Sequence, residues 1–372
     1  MNESPNQSGA RHYQPRPDFS ANLDILRSVA VLLVLVDHAF NFAIKRHHLQ
    51  GWGDYSAIAG RLGVLLFFVH TSLVLNFSLA RIPASGWELF RTFMVRRVFR
   101  LYPLSILCVL LAVAFGVAST PDMNSVPRPG WGVILSNLTL TVDLFNYPVV
   151  LMPLWTLPIE LQMYVAMPFI FMMLGTARNP RVALGLWILA AALAWTQPFF
   201  ARWLPVVDFG PCFIAGTVAY SLTGLYTKRI PSFLWIPFLL TLLYGFVIIQ
   251  QDAPEGYANM PLQWILCLVL GLAIPLFHDS RLAAVNYVAS RIARYSYGIY
   301  LFHTIALWVG CTVLAGLPEF LQWVTALGLL SVLSIGSYHL LEKPAIDFGI
   351  RLTTPLPPSS QTPPSLASGT RL

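Results

Sequence analysis

Long apolar runs alternate with short polar connections along the chain. Ten apolar segments stand out, at about 23–44, 62–80, 99–118, 154–174, 182–200, 206–224, 231–250, 261–277, 295–315 and 320–341. Runs of about 20 apolar residues cross a bilayer as helices, because hydrocarbon satisfies no backbone polar group. The pattern predicts an all-α fold, a polytopic transmembrane helical bundle of about ten spans. The polar, Pro-rich positions 1–22 hold no apolar core or cleavage site of their own, so the first span is expected to be retained after a disordered cytoplasmic N-terminus. Positions 23–348 form the expected transmembrane domain. Positions 349–372, rich in Pro, Ser and Thr, are expected to be a disordered cytoplasmic tail. The longest outside connection is 119–153. Its middle, VILSNLTLTVDLF, is apolar enough to dip into the interface or fold over the bundle. No internal repeat of the transporter kind is visible.

Composition agrees. The 372 residues are 56% hydrophobic and 10% charged, with mean hydropathy +0.65, against roughly 25% charge in a soluble domain. The net charge of +7 does not imply nucleic-acid binding, because membrane proteins concentrate Lys and Arg on the cytoplasmic side. With ten spans and the N-terminus inside, 18 of the 23 basic residues fall on inside segments. This places both termini in the cytoplasm, with membrane lipids rather than nucleic acid as surroundings. Cys108, Cys212, Cys267 and Cys311 are widely spaced in apolar segments. They suggest neither a metal site nor a disulfide framework, and read as small buried hydrophobes.

Candidate chemistry begins in the first span. Arg27 and His38 lie eleven residues apart, hence roughly 20° apart around a helix and about 16 Å along it. An intramembrane cation and a proton-transfer group on one stripe are costly to bury, which points to function. His38 lies past the membrane centre, and imidazole suits a general base acting on a hydroxyl. It equally suits a histidine hydrogen-bonded inside a bundle. Asp37 is turned about 100° away from His38. Asp24 is placed to pair with Arg27 at i,i+3.

Three further stretches carry polar groups at membrane depth. RTFMVRRVFRLYP, Arg91 to Pro103, crowds Arg96, Arg97 and Arg100 at the cytoplasmic face. Guanidinium forks match phosphate oxygens, and the same arginines also fit plain membrane anchoring. PLWTLPIELQMYVAMP, Pro153 to Pro168, places Glu160 at the opening of an apolar segment. There it is either a favourable partner for the helix dipole or a carboxylate that orients an imidazole or binds a sugar hydroxyl. RYSYGIYLFHT, Arg294 to Thr304, sets aromatic and hydroxyl groups near His303, which could line a polar cavity; helix packing through Ser296 and Gly298 explains part of it. His70 reads as a packing polar group, His47 and His48 carry no assigned role, and Glu342 caps or pairs with the basic face.

These stretches, in this order, resemble the membrane-bound acyltransferase-3 family of bacterial polysaccharide and O-antigen O-acyltransferases, over about residues 22–348. LDILRSVAVLLVLVDHA resembles the family's first-helix signature and GRLGVLLFFV its second-helix stretch. RRVFRLYP places Arg97 and Arg100 at the R-x-x-R positions. LWTLPIELQMY is similar to W-S-L-x-x-E-x-x-F-Y, with Glu160 at the family's Glu. YSYGIYLFH and SYHLLEKP match two C-terminal stretches. One departure is Thr71-Ser72, preceded by His70, where the family often has Ser-Gly. The esterase-like soluble domain fused to some members is not expected here.

The resemblance implies an enzyme: an acyltransferase of the bacterial inner membrane. It would move an acyl group, acetyl by default, from cytoplasmic acyl-CoA to a hydroxyl of an extracytoplasmic or lipid-linked glycan, without a metal. Arg97 and Arg100, with Arg96, would hold the coenzyme phosphates, and Arg27 would position the donor. His38 would act as base or transient acyl carrier, and Glu160 would orient His38 or the sugar. Trp155, Tyr164 and His303 are the implied substrate contacts. A carrier or flippase for lipid-linked sugars, or an O-acyltransferase acting on a small secreted metabolite such as a macrolide, is the alternative.

Overall fold

The computed structural model describes residues 20–47, 53–117, 129–199, 204–250 and 259–354. Its helices are α1 (Ala21–His47), α2 (Gly53–Ala80), α3 (Gly86–Phe115), α4 (Trp131–Leu138), α5 (Thr156–Leu174) and α6 (Pro180–Thr196). They continue as α7 (Pro205–Leu222), α8 (Trp235–Gln250), α9 (Met260–Ala273), α10 (Ala283–Trp308), α11 (Glu319–Ser337) and α12 (Lys343–Thr353). Each of the ten predicted segments is a helix. Among the described residues the only strand-like pairing is an isolated bridge between Ile230 and Phe277. Eight helical stretches are long and apolar enough to cross a membrane, so this is an all-α, multi-pass membrane protein. α1 is comparable in length, 27 residues, and carries Asp24, Arg27 and Asp37 besides. Met260–Leu276 is a shorter apolar helix.

Two expectations shift. The last stretch continues past position 341 through a π-turn, Tyr338–Glu342, into α12. Pro344 does not stop it, because a proline in a first helical turn forgoes a hydrogen bond that the turn lacks anyway. Positions 349–353, expected in the tail, are therefore helical; 355–372, and 1–19 of the N-terminal segment, lie outside the described residues. Of the 119–153 connection, α4 packs on α3, and Tyr102 of α3 donates to the Thr139 carbonyl at 2.9 Å. Asn137 closes the loop that follows, donating to Pro148 O and accepting from Val150 N.

α2, α7 and α10 are the most buried spans, while α6, α8 and α11 face outward. In lipid, helices associate by close packing and internal polar bonds rather than by expelling water. Both are present along α2. Gly63 lies under Ala30 of α1, where an added Cβ would come within 2.6 Å of the Ala30 carbonyl oxygen. Gly216 of α7 lies against α2, where an added Cβ would meet the Val69 carbonyl oxygen at 2.3 Å. Beside that crossing, fully buried Asn76 donates to Ser72 O at 2.9 Å and to Thr217 Oγ1 at 3.1 Å. Ser72, at the departure from the family pattern, shares a hydrogen bond with Thr217.

Gly216→Leu should therefore force α2 and α7 apart and destabilise the fold by about 1–3 kcal/mol. Gly185→Leu, which adds its side chain where nothing lies within 4 Å, should leave stability unchanged. Thermal midpoints of the two purified variants in detergent check the contrast.

Candidate active site

A cavity of about 250 Å³ opens where α1, α2, α3, α5 and α10 converge. Arg27 reaches it from α1, His70 and Thr71 from α2, Arg97 and Arg100 from α3, Glu160 and Tyr164 from α5, and Tyr297 from α10. Helical spacing explains the grouping. Arg97 and Arg100 are i,i+3 and Glu160 and Tyr164 are i,i+4, so each pair shares a helix face.

The charges around this space do not neutralise one another by direct contact. Glu160 is buried, and its Oε1 accepts a hydrogen bond from Tyr164. It lies in electrostatic reach of Arg100, Arg27 and Arg97, yet forms no direct ion pair with any of them among the described residues. Arg97 donates to Ser78 Oγ at 2.5 Å and lies 5.2 Å over the Phe93 ring. Arg27 lies 5.8 Å over the Phe67 ring. The Nε atoms of Arg27 and Arg97 are buried without a hydrogen-bond partner. Buried guanidinium donors with nothing to donate to, arranged around a cavity, favour an anionic ligand. Glu342, carried inward by the π-turn, is 2% exposed and acts on Arg100 and Arg27.

His38 lies outside this cavity. Its Nδ1 donates to Val34 O at 3.1 Å, with Asp37 Oδ2 next at 3.6 Å. Its ring meets that of His303 edge-on, 4.8 Å between centroids. Buried His303 donates from Nδ1 to Tyr300 O at 2.7 Å, and its Nε2 has no partner. Backbone carbonyls accept at both Nδ1 atoms, so both neutral rings carry their lone pair on Nε2, the form a base requires.

Between the two sites, the α1 stripe from Arg27 to His38 runs through Ala30, Val31 and Val34. These residues line a hollow of only about 10 Å³, closed by Phe67 and Tyr300. Those two rings stack 7° from parallel at 6.3 Å. Tyr300 is fixed by Thr156 Oγ1 at 2.7 Å and Pro153 O at 2.9 Å.

Arg27, Arg97, Arg100, Glu160 and Tyr164 thus meet in one cavity, and His38 and His303 meet in a second place. Arg96 joins neither: its Nε donates to Thr353 Oγ1 of α12 at 2.8 Å. Trp155 packs on Phe209, 5.5 Å between rings. Glu160 contacts Tyr164 and the arginine cavity rather than His38. It sits in the second turn of a helix that starts at Thr156, past the reach of the dipole's terminal charge. Asp24 and Arg27 form no direct ion pair among the described residues, since Arg27 turns inward to Phe67. Cys108, Cys212 and Cys267 are buried, Cys311 is partly so, and none of the four forms a disulfide among the described residues. His70, read as a packing group, lines the arginine cavity with Nδ1 unpartnered. Arg81 lines it as well. These two are eleven residues apart, Arg81 standing just past the end of α2, the same spacing as Arg27 and His38, and that repetition was the available signal.

The chain is similar to several known proteins. YrhL of Bacillus subtilis (strain 168), provisionally named a peptidoglycan O-acetyltransferase, is 27% identical over 88% of this chain and 55% of its own length. Peptidoglycan O-acetyltransferase OatA of Listeria monocytogenes is 28% identical over 46% of this chain and 28% of its own. The chain thus spans about half or less of these two relatives. Nodulation protein 10 of Rhizobium leguminosarum bv. viciae is 23% identical over 87% of this chain and 93% of its own length. No solved structure matches. The acyltransferase domain model of the acyltransferase-3 family matches residues 20–339, and the chain belongs to that family.

Proposed function

We propose that the protein is a multi-pass O-acyltransferase of a bacterial inner membrane, with both termini cytoplasmic. It transfers an acyl group, acetyl by default, from cytoplasmic acyl-CoA to a hydroxyl of an extracytoplasmic or lipid-linked glycan. The observation that carries this reading is the separation of two sites along one face of α1: guanidiniums with unpartnered Nε atoms around a cavity at Arg27, and the His38–His303 ring pair, whose Nδ1 atoms are both held by backbone carbonyls. Family membership and the O-acetyltransferase names of two relatives support it.

In this reading Arg97 and Arg100 hold donor phosphate, and Arg27 meets the arm that carries the thioester. His38 Nε2 takes the proton of the acceptor hydroxyl as its oxygen attacks the thioester carbonyl. The carbon–sulfur bond then breaks, and the leaving thiolate takes up that proton. Val34 O and His303 keep the His38 ring in the required orientation. Glu160 and Tyr164 hold the arginines around the donor. The Phe67–Tyr300 stack separates the two ends and must part for the thioester to reach His38.

His38→Ala should lower acetyl transfer by about 10²–10⁴-fold, the usual contribution of a general base, with membrane protein level unchanged. Retained activity would exclude the base assignment. Arg97→Ala and Arg100→Ala should each weaken coenzyme A binding about tenfold, the loss of one charge-assisted phosphate contact. Arg96→Ala should bind as the wild type does. Calorimetry on the purified proteins checks both.

A further inference from the structure

The face of α1 turned away from Arg27 borders an apolar groove of about 450 Å³, within the range of ligand pockets, about 300–1,000 Å³. Ile25, Val29 and Leu32 line it, roughly 140–160° around the helix from Arg27. α8 packs chiefly on α2, while α1 and α10 pack on each other. The groove is the wedge left between α8 and that pair. Buried Leu66 of α2 forms its floor, and exposed Leu240 of α8 and Val288 of α10 form its rims. The only polar side chain in the lining, Ser28, donates to Ala289 O at 2.8 Å. A hollow so lined excludes water and takes hydrocarbon.

The groove runs from Ile25 to Leu33 on α1 and from Ala284 to Ile292 on α10, about 12 Å in each case. That approaches the depth of one leaflet, half of a hydrocarbon core about 30 Å thick. α1, α8 and α10 all begin at the same end. Ser20 and Asn22, at the start of α1, hydrogen-bond to Asp279 and to the His278 carbonyl ahead of α10. Ile230, ahead of α8, bridges to Phe277. Arg281 stands at this end, exposed, three residues before groove-lining Ala284. The acid in the first turn of α1, Asp24, lies in electrostatic reach of Arg27 and Arg294. A guanidinium at the end of a membrane helix reaches lipid headgroups and favours anionic ones.

We propose that the groove is a binding site for an anionic phospholipid, with one acyl chain between α1, α8 and α10 and its phosphate at Arg281. The chain braces the back of the helix that carries Arg27. The groove ends at Leu33, about 7 Å short of His38 along the axis. A resident lipid fits that position better than a lipid-linked acceptor, which has to reach His38. The proposal does not depend on acyl transfer.

The test is native mass spectrometry of the full chain, released from nanodiscs of equal parts 1-palmitoyl-2-oleoyl phosphatidylglycerol and phosphatidylcholine. The wild type should retain lipid, with phosphatidylglycerol preferred about fivefold, the contribution of one basic residue at a membrane surface. Arg281→Gln should retain lipid and lose the preference. Ala284→Trp/Leu240→Trp, which plugs the groove from two walls, should lose the lipid. Leu193→Trp, at an exposed position of α6, should keep it, and so should His38→Ala, whatever its acetyl transfer. Leu240→Trp alone serves if the double variant does not fold. In detergent, added phosphatidylglycerol should raise the thermal midpoint of the wild type and not that of the plugged variant. No retained lipid in the wild type, equal retention by the plugged variant, or an equal rise in midpoint overturns the site. An unchanged preference in Arg281→Gln overturns the headgroup assignment. A lipid-free dimer of the wild type gives the groove to a second copy of the chain and overturns the proposal.

Discussion

Charged side chains at membrane depth require compensation that hydrocarbon does not supply. In this protein, Glu160 supplies part of it to Arg27, Arg97 and Arg100 across a shared space. A close ion pair would quench the field within the cavity. The observed arrangement leaves the guanidiniums oriented inward and Glu160 held by Tyr164. Five helices must converge to build it, so the position of each span near this end follows from where its polar residue has to go.

α2 makes that convergence possible. Its backbone meets α1 at Gly63 and α7 at Gly216, approaches that a single Cβ would prevent. The Asn76–Ser72–Thr217 knot fixes the second crossing with internal hydrogen bonds. The C-terminal turns of α2 consequently stand as a thin wall between two cavities, and Arg81, just past the helix end, lines both.

The same helix contributes Phe67, which lies under Arg27 and stacks on Tyr300. Arginine cavity and histidine pair are thereby adjacent along α1 yet separated by two rings and a hollow of about 10 Å³. Each imidazole is held by a carbonyl of its own helix, so the tautomer is a local property, whereas the 4.8 Å meeting of the rings depends on α1 packing against α10.

Sequence alone determined the ten helical segments, because the bilayer imposes a minimum apolar length and forbids unpaired backbone. It also determined the Arg27–His38 stripe, because helix geometry fixes which positions share a face. The i,i+3 spacing of Arg97 and Arg100 was legible for the same reason. Only the tertiary structure decided which polar residues meet. Arg96 and Arg97 are neighbours in sequence but point to α12 and to the cavity respectively. Glu160 joins the arginines rather than His38, and His70, which reads from the sequence as a packing group, lines their cavity. α2 is apolar nearly all around, so its periodicity marks no inner face; the packing partners that give it one come from segments far away in the chain.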